Sequence, residues 1–167
     1  VFKNKVLMYL FEDAAKQNIR YLELRGGPLV HVRGGLSPER VLEAILTGLN
    51  AGERKFGVKA RFIVCALRSD PPLDNVNLAR IAASYRQDGV VGFDLAGDEA
   101  GYPAVLHREA FRLAKENGLS ITVHAGEAAV PESVLSAICD LGAERIGHGI
   151  RSIEDPYLIQ LLIDRKI

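Results

Sequence analysis

The sequence contains no tryptophan, and aromatic side chains make up only 7% of its 167 residues. This scarcity argues against a surface that stacks the bases of single-stranded nucleic acid. Lys and Arg together number 21, and so do Asp and Glu. The chain therefore has no net charge to attract a nucleic acid or an anionic membrane. We expect a partner of neither kind.

Cysteine is also scarce, since only Cys65 and Cys139 are present. Two isolated cysteines are typical of a reduced, cytoplasmic protein, in which both would be small core residues. No apolar run approaches the roughly 18 residues of a membrane-spanning helix. The sequence therefore predicts a cytoplasmic protein that does not span a membrane.

Three motifs that would define common enzyme classes are missing. No Gly-x-Gly-x-x-Gly opens a helix, and no Gly-Lys-Ser or Gly-Lys-Thr occurs, which excludes the usual dinucleotide and P-loop sites. The Pro-Cys-x-x-Cys signature of cytidine-type zinc deaminases is absent as well.

Five short runs rich in β-branched and apolar residues alternate with helical patterns. The predicted strands are 20–24, 59–67, 90–95, 121–123 and 145–147. A helix in every gap indicates an α/β fold of parallel βαβ units. A complete (β/α)8 TIM-type barrel needs about 250 residues, or at least roughly 200. We therefore interpret 1–167 as a single domain that is the incomplete central portion of such a barrel.

The stretch 120–127, Ser-Ile-Thr-Val-His-Ala-Gly-Glu, carries the first candidate site residues. Its β-branched run leads into His124, and Ala125 and Gly126 allow the backbone to turn toward Glu127. An imidazole and a carboxylate at the C-terminal end of one strand can share a site. The imidazole can bind a metal, and the carboxylate can transfer a proton.

Other predicted strands also end on polar residues. The first ends on Arg25, the third contains Asp94 and leads into Gly97, and the fifth leads into His148. Residues that follow parallel strands meet at one face of a βα fold, where active sites lie. The sequence therefore predicts one site built from several strand ends.

Taken in order, these stretches resemble the adenosine deaminase family of zinc enzymes. The resemblance covers essentially the whole chain, and the third and fourth motifs are specific to that family. The matching motifs are Tyr-Leu-Glu-Leu-Arg (21–25), Gly-Glu-Arg-Lys-Phe-Gly-Val-Lys-Ala-Arg (52–61), Asp-Leu-Ala-Gly-Asp-Glu (94–99), Val-His-Ala-Gly-Glu (123–127) and Arg-Ile-Gly-His-Gly (145–149).

The resemblance implies a role for each site residue. His124 would be a zinc ligand, Glu127 the proton donor, and His148 the residue that orients and polarises the zinc-bound water. Gly97 would contact the purine ring through its N–H, and Asp94 would support neighbouring groups by hydrogen bonding. The alternatives are a buried histidine bonded to backbone, a surface carboxylate and a simple turn glycine.

Several other polar residues have less definite interpretations. Arg25 has either a direct role or a structural one as an ion-pair partner. Asp98 and Glu99 are expected to cap or line their loop. His31 is expected on a loop, and His107 on a solvent-facing helix.

The implied activity is zinc-dependent deamination at C6 of adenosine or 2′-deoxyadenosine, which releases inosine or 2′-deoxyinosine and ammonia. Alternatives are another 6-aminopurine substrate, such as adenine or aminodeoxyfutalosine, or a non-catalytic purine-binding relative. The family's His-x-His pair and adjacent aspartates do not occur in this sequence. We therefore expect an incomplete zinc site, and an isolated chain that is inactive and prone to associate. The oligomeric state stays open.

Overall fold

The structure is a computed structural model that describes residues 2–32 and 34–167, with side chains from residue 6 onward. Short 3-10 turns lie at Pro28–His31, Arg86–Asp88, Ala104–His107 and Ile150–Glu154. The helices are α1 (Phe2–Lys16), α2 (Pro38–Phe56), α3 (Pro72–Ser84), α4 (Arg108–Glu116), α5 (Pro131–Cys139) and α6 (Pro156–Arg165). The strands are β1 (Tyr21–Gly26), β2 (Lys59–Leu67), β3 (Val90–Ala96), β4 (Ser120–Ala125) and β5 (Arg145–His148).

The five strands form one parallel sheet in sequence order. The sheet is strongly curled, and contact between side chains of its first and last strands shows this. Arg145 on β5 donates to Glu23 on β1 with an Nη1–Oε2 distance of 2.7 Å. The predicted class, part of a TIM-type barrel with five parallel strands, is therefore confirmed.

Strand residues alternate between two surfaces with the period of two that the pleat requires. One surface packs against the helices in the main hydrophobic core, and the other faces the concave side of the curled sheet. The core-facing set includes Leu22, Leu24, Ala60, Phe62, Val64, Ala66, Phe93, Leu95, Ile121, Val123 and Ala125. The residues between them in sequence include Glu23, Arg25, Asp94, Thr122 and His124.

Local sequence signals explain where two helices begin. The Ser37 hydroxyl accepts a hydrogen bond from the N–H of Arg40 at the start of α2. The Asp155 carboxylate accepts one from the N–H of Tyr157 at the start of α6. Both side chains satisfy N–H groups that the first helical turn leaves without partners.

In the described ranges, no helix combines the length and the apolar character needed to cross a bilayer.

The strand ends differ from the sequence-based expectation. Strands β1, β3, β4 and β5 each continue one or two residues further than predicted. In the register of β4 and β5, His124 lies opposite Gly147 and Ala125 opposite His148. The two histidines therefore belong to the last pairs of the ladder rather than to the loops beyond it. Pairing with a neighbouring strand, which local sequence does not reveal, sets these ends.

Three other expectations need correction. His107 is only 1% exposed, whereas the sequence favoured a solvent-facing position. It ends the 3-10 turn Ala104–His107, and its ring nitrogens face Asn75 and the carbonyl of Arg68. Cys139 is exposed and is not a core residue, while Cys65 is buried as expected. His31 ends a 3-10 turn rather than lying in an irregular loop.

Apolar side chains are exposed beside both edges of the sheet, among the residues that the structure describes. In the part of the chain that the structure describes, β1 pairs only with β2, and β5 only with β4. Large apolar side chains are exposed on the flanking elements, including Val6, Tyr9, Ile153, Tyr157 and Ile163. Unpaired strand edges next to apolar surface favour pairing with another chain.

We predict that the isolated 167-residue chain associates as its concentration rises. Association would cover the outer edges of β1 and β5 and the apolar side chains beside them. Light scattering across a dilution series measures the mass directly. A monomeric mass at every concentration would contradict the prediction.

Candidate active site

A buried carboxylate orients the histidine that is the candidate metal ligand. Asp94 on β3 is completely buried, and its Oδ2 and Oδ1 atoms lie 2.9 and 3.1 Å from Nδ1 of His124 on β4. Because a carboxylate only accepts hydrogen bonds, the proton of His124 lies on Nδ1. The lone pair of Nε2 is then available to a metal, as in the carboxylate–histidine–metal arrangement of many zinc sites.

Asp94 receives two further hydrogen bonds that compensate its buried charge. Arg25 on β1 donates to Oδ2 at 3.3 Å, and the N–H of Leu95 donates to Oδ1 at 2.9 Å. A buried carboxylate costs free energy unless such partners are present. Arg25 is therefore an ion-pair partner of Asp94, which is one of the two roles predicted for it.

Glu127, on the loop that follows β4, is in contact with His148, the last residue of β5. Nε2 of His148 is 3.3 Å from Oε2 of Glu127. The rings of His148 and His124 have centroids 5.4 Å apart. The carboxylate and the two imidazoles predicted from three separate positions therefore form one cluster.

The backbone around this cluster adopts left-handed conformations. His148 has a φ of 67°, which costs a residue with a side chain about 1–2 kcal/mol. Gly126 has a φ of 71°, and a Cβ atom there would lie 2.7 Å from Val134 and 3.3 Å from the Cα of Gly149. The two loops approach so closely that only glycine fits at Gly126. Strain at His148 is typical of residues in functional sites.

Gly97, the predicted purine contact, follows the last residue of β3 directly. It is exposed and has a φ of 107°, and a Cβ atom there would lie 3.5 Å from the backbone nitrogen of Arg68. It therefore lies at the same end of the sheet as His124. Its contact with substrate stays a prediction.

Glu99 is more deeply involved than a residue that merely lines a loop. Its carboxylate accepts hydrogen bonds from the Ser133 hydroxyl and from the backbone N–H groups of four consecutive residues, 126–129. Burial alone would raise the pKa of Glu99, but the hydrogen bonds from Ser133, Ala128, Ala129 and Gly126 outweigh it and lower the pKa to about 2. Glu99 therefore stays ionised and fixes the loop that carries Glu127.

Arg68, which the sequence analysis did not single out, ties β4 to the loop after β3. It is 1% exposed and donates to the carbonyls of His124 at 2.8 Å and Tyr102 at 3.0 Å. The ladder between β3 and β4 covers only two residue pairs and ends before His124. Arg68 thus supplies the hydrogen bond that a neighbouring strand would otherwise give to the carbonyl of His124.

His107 supports Arg68 and has no contact with the cluster around His124. Its Nε2–H donates to the carbonyl of Arg68, and its Nδ1 accepts from the side-chain amide of Asn75. Burial lowers the pKa of His107, so the imidazole is neutral near pH 7. Its role is therefore structural.

A cavity of about 250 Å³ lies on the concave side of the sheet. Glu23 lies in the wall of this cavity. Burial alone would raise the pKa of its carboxyl, but hydrogen bonds from Arg145 and Tyr21 outweigh burial, so the pKa is lowered. The cavity is therefore lined in part by the ion pair of Glu23 and Arg145. Its lining residues are Glu23, Arg25, Ile63, Thr122, Arg145, Ile146 and Gly147.

The donor set near His124 would suit one part of a zinc site. Among residues 2–32 and 34–167, no three side chains of His, Cys, Asp or Glu are grouped so that they could hold a metal ion. Catalytic zinc usually has three protein ligands. The orientation of His124 by Asp94 fits one of them.

Comparison with solved structures identifies the class of this fold. The chain aligns with an amidohydrolase from Burkholderia ambifaria crystallised with bound Zn, with a TM-score of 0.92 and 30% identity, over 99% of this chain and 46% of that one. It also aligns with adenine deaminase from Arthrobacter aurescens, with a TM-score of 0.90 and 26% identity, over 99% of this chain and 50% of that one. The curled sheet is part of the barrel found in these hydrolases.

The sequence comparison is more specific. The profile of the adenosine deaminase family matches residues 4–167, so the chain belongs to that family. Adenosine deaminase from Clostridium kluyveri is 42% identical over 163 residues, which are 98% of this chain and 47% of that protein. The chain spans about half the length of the curated adenosine deaminases from Clostridium that it matches.

We predict that Gly126→Ala lowers the free energy of unfolding by roughly 2–4 kcal/mol. About 1–2 kcal/mol would come from the left-handed backbone and the rest from overpacking against Val134. Gly57→Ala is the matched control, because Gly57 has a φ of 70° but open space, free of other atoms to 4 Å, where the added methyl group would lie. Denaturant unfolding measures the free energy of unfolding of both variants. Equal losses in Gly126→Ala and Gly57→Ala would contradict the steric argument.

Proposed function

We propose that the full-length protein containing this chain is a zinc-dependent deaminase of adenosine and 2′-deoxyadenosine. Water would replace the 6-amino group, so that inosine or 2′-deoxyinosine and ammonia form. The observation that carries the proposal is the contact of Asp94 with His124 beside the pair of Glu127 and His148. Membership of the adenosine deaminase family supports the same reaction.

His124 would hold the metal through Nε2, with Asp94 keeping the ring in the required tautomer. The remaining ligands would come from parts of the protein outside these residues. Zinc, when bound, lowers the pKa of a water ligand so that hydroxide is available near neutral pH. Buried Asp94, with its bonds to Arg25 and Leu95, would limit rotation of the imidazole.

Glu127 and His148 would carry the proton chemistry. Glu127 would protonate N1 of the purine as water adds to C6, which makes C6 a better electrophile. His148, at the end of β5, would orient the attacking water and stabilise the charge that develops there. Gly97 would fix the ring by donating its backbone N–H, since its exposed position leaves room for a ligand.

Two alternatives remain specific enough to test. Adenine is one, because a similar structure is named adenine deaminase. A non-catalytic purine-binding protein is the other, but such a protein has no chemical need for His124, Glu127 and His148 together. The purine and its sugar would be recognised partly by residues outside this chain.

The direct experiment is an ultraviolet assay of the zinc-loaded full-length protein with adenosine, 2′-deoxyadenosine, adenine and other 6-aminopurines. The absorbance change on conversion to a 6-oxopurine reports turnover, and ammonia release confirms it. Highest kcat/KM on adenosine or its deoxy form would support the proposal. Preference for adenine would favour the first alternative, and binding without turnover the second.

We predict that Glu127→Gln in the full-length protein lowers kcat by about 10²–10⁴-fold, the usual contribution of general acid catalysis. Glutamine preserves the shape of the side chain but cannot deliver the proton. Zinc content should stay close to that of the unchanged protein, because Glu127 is not a proposed ligand. Near-normal turnover would remove Glu127 from the mechanism.

We predict that His124→Ala loses both zinc and activity, since a ligand is removed. Metal analysis after dialysis separates this variant from Glu127→Gln, which should retain zinc. Full zinc occupancy in His124→Ala would show that the ligand has been misassigned.

A further inference from the structure

The carboxylate of Glu99 is bound by a loop other than its own. Glu99 lies on the segment after β3, but its hydrogen-bond donors belong to the segment between β4 and α5. The N–H groups of Glu127, Ala128 and Ala129 point at its Oε2 over 2.8–3.0 Å. The N–H of Gly126 and the hydroxyl of Ser133 bind its Oε1.

Five donors on one carboxylate leave the loop little freedom. The N–H groups of four consecutive residues can converge on one anion in few backbone conformations. Charge-assisted hydrogen bonds of this kind are stronger than neutral ones, and Glu99 is only 8% exposed. The hydrogen bonds to Glu99 therefore fix the backbone of Glu127.

The side chain of Glu127 itself is held much less firmly. It is 61% exposed, and it contacts Nε2 of His148 at 3.3 Å. Burial therefore cannot determine where its carboxylate lies. The direction in which Glu127 leaves the backbone, which Glu99 sets, becomes the main constraint on its position.

The segment that carries Glu99 is anchored in turn. The guanidinium of Arg68 donates to the carbonyl of Tyr102 on the same segment and to the carbonyl of His124 on β4. Its positive charge also interacts with Glu99. One buried cation and one buried anion therefore link the backbones of His124 and Glu127 through a third segment.

We propose that Glu99 is a positioning residue that aims the carboxylate of Glu127 at the reacting purine by binding the N–H groups of residues 126–129. This role rests on the proposed function, in which Glu127 is the general acid. Glu99 itself is not proposed to contact substrate or metal, because its carboxylate oxygens face the N–H groups of residues 126–129 and the Ser133 hydroxyl. Removing its charge would leave the loop folded more loosely and Glu127 misplaced, and an error of about 1 Å can cost about 10²-fold in rate.

The test is a double-mutant cycle in the zinc-loaded full-length protein. Glu99→Gln keeps the size of the side chain but puts an amide donor against backbone donors. We expect kcat to fall about 10²-fold, with zinc content retained and KM changed far less. Combined with Glu127→Gln, it should add a factor of about two or less, since a residue that acts through Glu127 has nothing left to position.

A purely structural role would give a different pattern. Losses that multiply in the double variant, or a KM and a zinc content that change as much as kcat, would overturn the positioning role. Glu132→Gln is the matched control, because Glu132 is an exposed carboxylate in the first turn of α5. It should leave kcat unchanged.

Amide hydrogen exchange gives a readout that does not depend on activity. The N–H groups of residues 126–129 should exchange faster in Glu99→Gln and at the normal rate in Glu132→Gln. If Glu99→Gln does not fold, Ser133→Ala replaces it, since it removes one donor and leaves the carboxylate. Faster exchange at 126–129 with a smaller loss of kcat would support the proposal, and no change in either would overturn it.

The same cycle separates the two proposals. If Glu127→Gln alone leaves turnover intact, Glu127 is not the acid, so the roles of Glu127 and Glu99 are both wrong while the deaminase activity itself stands. If Glu127→Gln abolishes turnover while Glu99→Gln leaves kcat and exchange unchanged, only the role of Glu99 is overturned.

Discussion

The buried charge of Asp94 is the constraint on which this structure depends. A carboxylate without exposure must be surrounded by donors, and Asp94 draws them from three strands: Arg25 on β1, its own neighbour Leu95 on β3, and His124 on β4. A shift of one residue in β1 or β4 would turn a donor, and in β3 Asp94 itself, to the other face of the sheet. The register of the sheet and the orientation of the candidate metal ligand are therefore fixed by the same hydrogen bonds.

The sequence was sufficient to predict the class of fold, because its signals are local. Runs such as Ile121–Thr122–Val123 and the capping residues Ser37 and Asp155 act within a few positions of the chain. The strand ends were less accurate, since they depend on pairing across the sheet. His148 shows the difference: its place in β5 follows from its position opposite Ala125, which lies 23 residues away in sequence (148 − 125).

The candidate site could be predicted from the sequence for side chains that would take part in the chemistry themselves. His124, Glu127 and His148 could be recognised from strand ends and family motifs, and the structure brings them together. Glu99 and Arg68 were not recognised as supports, because their partners are backbone groups far along the chain. The alternation in Tyr21–Leu22–Glu23–Leu24–Arg25 indicates which side chains of β1 face the concave side of the sheet. It places the two leucines on the core face and the charged residues on the other.

The ion pair between Glu23 and Arg145 has a consequence for the order of folding. It joins residues 122 positions apart. The entropy lost in closing so long a loop grows only slowly with length, but it has to be overcome before the contact contributes anything. Neighbouring βα units, whose contacts are local, can form first. We therefore expect the contact between Arg145 and Glu23 to form late, after the neighbouring βα units have folded.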